Sequence, residues 1–108
     1  MGIIFKDIPV GFIKAKVADI KKQNGPYGEY LRIIFTISQK GEFSYYKFSG
    51  FVKPTPLRQS KFYRWVKNIL GKDPNDDEFS IQELIGKECM IYLSKQDNYY
   101  SVKDVSMI

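Results

Sequence analysis

One hundred and eight residues, 44% of them apolar and 27% charged, make a single globular domain that can fold without staples. One cysteine, Cys89, and no histidine exclude an intramolecular disulfide framework, a Cys- or His-based zinc site and a Ser-His-Asp triad. The net charge of +5 hides a segregation: residues 1–72 hold 14 Lys and Arg against 4 Asp and Glu, giving +10, whereas residues 73–108 hold 3 against 8, giving −5.

In chain order, residues 11–21 alternate. Ile13, Ala15 and Val17 point one way and Phe12, Lys14 and Lys16 the other, which predicts a half-buried strand. Asn24-Gly25-Pro26-Tyr27-Gly28 is a dense turn signal. Residues 30–38 alternate again, with Leu31, Ile33, Phe35 and Ile37 on one face and Tyr30, Arg32, Ile34 and Thr36 on the other. Lys40-Gly41 reads as a short hairpin turn into a third strand over 43–53. That strand sets Tyr46, Phe48 and Val52 against Phe43, Tyr45, Lys47, Ser49, Phe51 and Lys53. Gly50, in mid-strand, suggests a bulge or a bend at a barrel corner.

The period then changes from 2 to 3.6. Thr55-Pro56 reads as an N-cap followed by proline in the first helical position, predicting a helix over 56–70. Phe62, Trp65, Val66, Ile69 and Leu70 form its apolar stripe, and Gly71 its left-handed stop. Lys61, Arg64 and Lys67 lie opposite the stripe and read as solvent contact. Trp65 and Cys89 read as core, and the acidic stretch 73–78 as a solvated loop. Ser80-Ile81-Gln82-Glu83 is a capping box for a turn or two, with Phe79 placed to staple onto Leu84 and Gly86 ending it. Strands over 87–94 and 99–106 follow, joined by Gln96-Asp97-Asn98. Val102 and Val105 share the inner face of the last strand only if a bulge separates them.

Three meandering strands, one capped helix and a two-stranded hairpin are the order of a mainly β, five-stranded OB-type Greek-key barrel with a capping helix between strands three and four. Over nearly the whole chain the sequence resembles OB-fold single-stranded nucleic-acid-binding proteins. It is similar to the small OB-like proteins of phages, plasmids and other mobile elements. The resemblance is carried by Tyr27-Gly28-Glu29-Tyr30-Leu31, Ser60-Lys61-Phe62-Tyr63-Arg64-Trp65 and Leu84-Ile85-Gly86-Lys87, in that order and spacing. It implies binding of single-stranded DNA with little sequence preference, in replication, recombination or repair.

The residues offer a matching surface. Eight Tyr, eight Phe and one Trp exceed what a core this small requires, and aromatics interleaved with Lys and Arg stack bases while neutralising phosphates. In OB folds the ligand crosses strands two and three between the first and last hairpin loops. The expected nucleic-acid-binding residues are Tyr27, Tyr30, Arg32, Ile34, Tyr45, Lys47, Phe51 and Tyr99, with Lys14, Lys16, Lys53 and Arg58 extending the phosphate track. An RNA ligand and a polypeptide ligand in a larger complex use the same features and stay open. Self-association is compatible with the sequence.

Scattered carboxylates and the lack of a phosphate-cradling glycine motif give no catalytic constellation, cofactor site or metal site, so no enzyme is expected. No apolar run approaches the ~20 residues of a membrane span. No secretory leader is seen, and Lys6 stands where myristoylation needs Ser or Thr, so a soluble cytoplasmic protein is expected. Bacterial single-strand binding proteins carry an acidic tail that recruits partners. Val105-Ser106-Met107-Ile108 directly follow the last strand, so such recruitment is not expected here.

Overall fold

The computed structural model describes residues 11–41, 44–55, 57, 59–72, 80–97 and 99–108. The order is β1 (Gly11–Gly25), β2 (Gly28–Ile37), β3 (Lys47–Val52), helix α1 (Lys61–Leu70), a 3₁₀ turn (Ile81–Leu84), β4 (Glu88–Gln96) and β5 (Tyr99–Ser106). All ladders are antiparallel, and they join one sheet in the order β3-β2-β1-β4-β5. The strand after the helix therefore returns to lie beside the first.

The alternating residues are buried as read. Ile13, Ala15 and Val17, then Leu31, Ile33, Phe35 and Ile37, then Cys89, Ile91 and Leu93 line one core with Trp65, Val66 and Ile69 of α1. Both Val102 and Val105 are buried, because Lys103 is an extra residue between them: Leu93 pairs with Val102 and Tyr92 with Asp104. A second bulge was not anticipated. Val17 pairs with Phe35 and Asp19 with Ile34, leaving Ala18 unpaired. At that point Val17 turns its backbone to the far side of the 3₁₀ turn, donating to the Lys87 carbonyl (3.0 Å) and accepting from the Gly86 N–H (2.8 Å). A bulge inverts the facing of every later residue on its strand.

The sheet is not closed into a barrel. No hydrogen-bonded ladder joins β3 to β5, yet the two run side by side in the same direction. Phe48 meets Tyr100 edge to face (6.2 Å between centroids), and a Cβ on Gly50 would lie 3.2 Å from Cβ of Val102. Helix α1 covers this seam. Asn68 Nδ2 donates to the Val105 carbonyl (2.8 Å), Lys61 Nζ to the Phe51 carbonyl (3.2 Å), and Arg64 pairs with Asp104 (2.9 Å). Lys61 and Arg64 are thus engaged with the sheet edges, not merely solvated as their position opposite the apolar stripe suggested.

Three further expectations are corrected. The helix starts at Lys61, not at residue 56. Ser60 is the N-cap, accepting from the Tyr63 N–H (3.1 Å) while its hydroxyl sits 2.7 Å from the carbonyls of both Thr55 and Leu57. The carbonyls of Thr55 and Leu57 turn onto the cap ahead of the helix. Gly50 marks no bulge, since the β2–β3 register is unbroken from Leu31↔Val52 to Thr36↔Lys47. What excludes a side chain there is Trp65, whose Cζ3 would lie 2.7 Å from a Cβ. Lys40-Gly41 is not a short hairpin turn: residues 38–46 separate the two strands. The capping box forms as read, with the Ser80 hydroxyl accepting from Gln82 and the Glu83 carboxylate from Ser80 N–H (3.0 Å). Phe43, Pro56, Arg58, Phe79, Asn98 and the acidic loop over 73–78 lie outside the described residues.

Candidate nucleic-acid interface

The outward face of β1, β2 and β3 is built in rows by the ladder register. Lys21 pairs with Arg32 and Arg32 with Phe51. One step toward the hairpin end Gln23 pairs with Tyr30. On the other side lie the rows Asp19, Ile34, Ser49 and then Lys16, Thr36, Lys47. Rows on one face are ~7 Å apart and strands ~4.8 Å apart, so Tyr30 to Thr36 spans ~20 Å along β2. Four cations and one carboxylate lie in these rows. The carboxylate, Asp19, is turned onto its own backbone, accepting from the Ile20 N–H (2.8 Å).

Arg32 stands at the centre. Its Nε donates to Ser49 Oγ (2.9 Å), which fixes the guanidinium plane with one of its five N–H donors and leaves the outer edge of the fork for an anion. Beside it, Tyr30 and Phe51 form an aromatic pair with centroids 5.9 Å apart and planes at 60°. Phe51 is 48% exposed, so an aromatic surface faces solvent next to the guanidinium.

The other expected residues distribute unevenly. Tyr27 is 86% exposed at the tip of the β1–β2 ribbon, where Gly25 pairs with Gly28 across a two-residue turn. Lys16 and Lys47 flank Thr36 as a cationic end to the strip. Lys14 is tied to Glu88 (3.2 Å), so it lends the track little net charge. Lys53 is exposed just past β3, Tyr99 is exposed at the start of β5, and Arg58 lies outside the described residues.

Tyr45 does not share the outward face of β3. It precedes the strand in a left-handed backbone conformation (φ 71°), with 82% of its surface exposed. Its N–H donates to the Ile37 carbonyl (3.0 Å) while the Ile37 N–H donates to the Tyr46 carbonyl (2.8 Å). That is a G1-type bulge, with an aromatic residue where glycine ordinarily sits. The alternation of β3 does not extend to Tyr45, because the strand begins only at Lys47, after the bulge.

Lys21 was missed for the converse reason. Uninterrupted alternation from Val17 puts it on the core side, and the bulge at Ala18 brings it out beside Arg32. The signal was in the sequence: Val17, Ala18 and Ile20 break strict alternation. Cys89 offers no chemistry at this surface. It is buried on the opposite face, and burial first, then the neighbouring Glu88, push its thiol up to about 12.

The chain matches no known protein family and no curated protein sequence. The functional reading therefore stands on the interface itself. Among the described residues no helix is long and apolar enough to cross a membrane.

Proposed function

We propose that this protein binds single-stranded DNA with little sequence preference, through the outward face of β1–β3. The observation that carries the reading is the row Lys21–Arg32–Phe51, with Tyr30 against Phe51: a guanidinium fixed by Ser49 beside an exposed aromatic pair. Phosphate neutralisation and base stacking are the two components of sequence-tolerant single-strand recognition, and stacking contributes ~1–3 kcal/mol per base. The strand order supports an OB-type Greek key that stays open at the β3–β5 seam, where side chains of α1 reach both edges. A role in replication, recombination or repair follows from that class of ligand.

The test is a fluorescence titration with oligo-dT at several salt concentrations. If Lys16, Lys21, Arg32 and Lys47 each meet a phosphate, log affinity falls against log salt with a slope of about −3, at ~0.7 per phosphate on single strands. Duplex DNA binds more weakly at the same salt, because its bases are already stacked. A matched RNA oligonucleotide of equal or higher affinity makes RNA the ligand. A slope near zero, or equal affinity for duplex and single strand, leaves a polypeptide ligand as the better account.

A further inference from the structure

Phe51 stands at the border of the strip, and a second group of cations begins immediately beyond it. Because β5 runs alongside β3 in the same direction, Lys103 follows Val102 as Phe51 follows Gly50. Lys103 is the extra residue of the β5 bulge and is exposed. From the helix, Lys61 Nζ reaches the Phe51 carbonyl (3.2 Å) and lies 4.6 Å from the centre of the Trp65 ring. One turn further, Arg64 is paired with Asp104.

Three cations thus converge on the seam with one carboxylate, and that carboxylate is already engaged by Arg64. The crowding is felt: the Lys61 ammonium is held below its ordinary pKa by partial burial and then by the charges of Lys103 and Arg64, with Asp104 opposing. Like charges gathered at an exposed edge are relieved by an anion. The anion nearest to hand is the backbone of a strand already lying across Phe51.

We propose that Lys61 and Lys103 form a phosphate subsite. It takes the backbone of a single strand leaving the β1–β3 strip past Phe51 and carries it over the β3–β5 seam onto α1. The subsite rests on the single-strand reading of the strip and lengthens its footprint. Short ligands end before the seam and longer ones cross it.

The experiment compares salt titrations of a short oligo-dT of about 6 nucleotides and a long one of about 15, both within the site sizes of single OB domains. The proteins are wild type, Lys103→Gln, and the double variant Lys61→Gln/Lys103→Gln. With the long oligomer the slope magnitude should drop by ~0.7 in the single variant and ~1.4 in the double, one share per phosphate. With the short oligomer it should not change. Lys103→Gln disturbs no carbonyl contact, so it reports even if the double variant loses stability. Equal slopes for all three proteins on the long oligomer, or an equal loss on both lengths, overturn the subsite and leave the strip intact. Failure of the wild type to bind either oligomer overturns both readings.

Discussion

The indole of Trp65 closes directly on the backbone of Gly50. Its Cζ3 and Cη2 would lie 2.7 and 2.8 Å from a Cβ at that position, with Cβ of Val102 at 3.2 Å on the other side. Trp65 is buried, packs edge to face on Phe35, and its Nε1 has no hydrogen-bond partner among the described residues, so packing and the Lys61 ammonium over its ring hold it in place of a hydrogen bond. One methyl at Gly50 has no space that a flexible side chain can vacate. Gly50→Ala should therefore destabilise the fold by roughly 1–3 kcal/mol, the usual range for overpacking. Urea unfolding followed by Trp65 fluorescence measures it, and an unchanged midpoint contradicts the packing.

Tyr45 separates stability from affinity. A bulky residue held at positive φ is strained by ~1–3 kcal/mol, and glycine removes that strain while restoring backbone entropy to the unfolded chain. Tyr45→Gly should be as stable as wild type or up to ~1 kcal/mol more stable. If the exposed ring stacks a base, the same variant loses ~1–3 kcal/mol of single-strand affinity. Thermal melts and oligo-dT titrations on one preparation give both numbers. Destabilisation shows that the ring is structural.

Phe51→Ala tests the strip where its register is continuous. The ring is half exposed and its loss opens no cavity in the core, so the melting temperature should barely move. Affinity for oligo-dT should fall by ~1–3 kcal/mol. Early melting at unaltered affinity inverts the face assignment.

Arg32 should behave as a fork and not as a point charge. Arg32→Lys keeps the cation, so the salt slope should hold, yet it loses the Ser49-fixed plane and with it affinity at every salt concentration. Arg32→Ala should lower the slope magnitude by ~0.7. Identical titrations for wild type and Arg32→Lys show that the geometry of Arg32 contributes nothing.

The thiol of Cys89 should leave a signature in alkaline unfolding. Its folded value is raised from 9.0 to about 12, chiefly by burial. Above pH 9 the unfolded chain releases a proton that the folded chain keeps. This contribution to stability is whole below pH 9 and is lost between pH 9 and 12, at up to ~1.4 kcal/mol per pH unit. Other groups titrate there too, so the measurement is the difference between wild type and Cys89→Val. The variant should lose stability less steeply over that window. Parallel curves refute the assignment.

Much of this arrangement was legible because burial in a sheet has a period of two. Leu31 to Ile37 and Cys89 to Leu93 show their inner faces directly, and the need for a bulge between Val102 and Val105 was a parity argument that the Lys103 insertion answers. Illegible were events that local pattern does not encode. The bulge at Ala18 showed in the sequence only as a break in alternation, and the groups that take the hydrogen bonds of Val17 there, on Gly86 and Lys87, lie nearly seventy residues away. Tyr45 adopts a conformation that residue preference argues against. Ser60 outcompeted Thr55 as the cap because its hydroxyl is also anchored by two carbonyls of the preceding turn. At the site, Tyr30, Arg32 and Phe51 were readable from alternation, whereas Lys21 needed the bulge.

The way α1 holds the seam also bears on life at high local density. Proteins laid along one strand sit shoulder to shoulder, and a sheet with raw edges in that setting is a template for neighbour-to-neighbour pairing. Here the Phe51 carbonyl on β3 and the Val105 carbonyl on β5 are both occupied by side chains of one helix, and Lys61 adds a charge where an incoming strand would dock. Crowded copies can abut without stitching into a fibre. Replacing Asn68 by alanine, which leaves every proposed phosphate contact in place, should therefore be felt as precipitation on concentrating the protein while ligand binding holds.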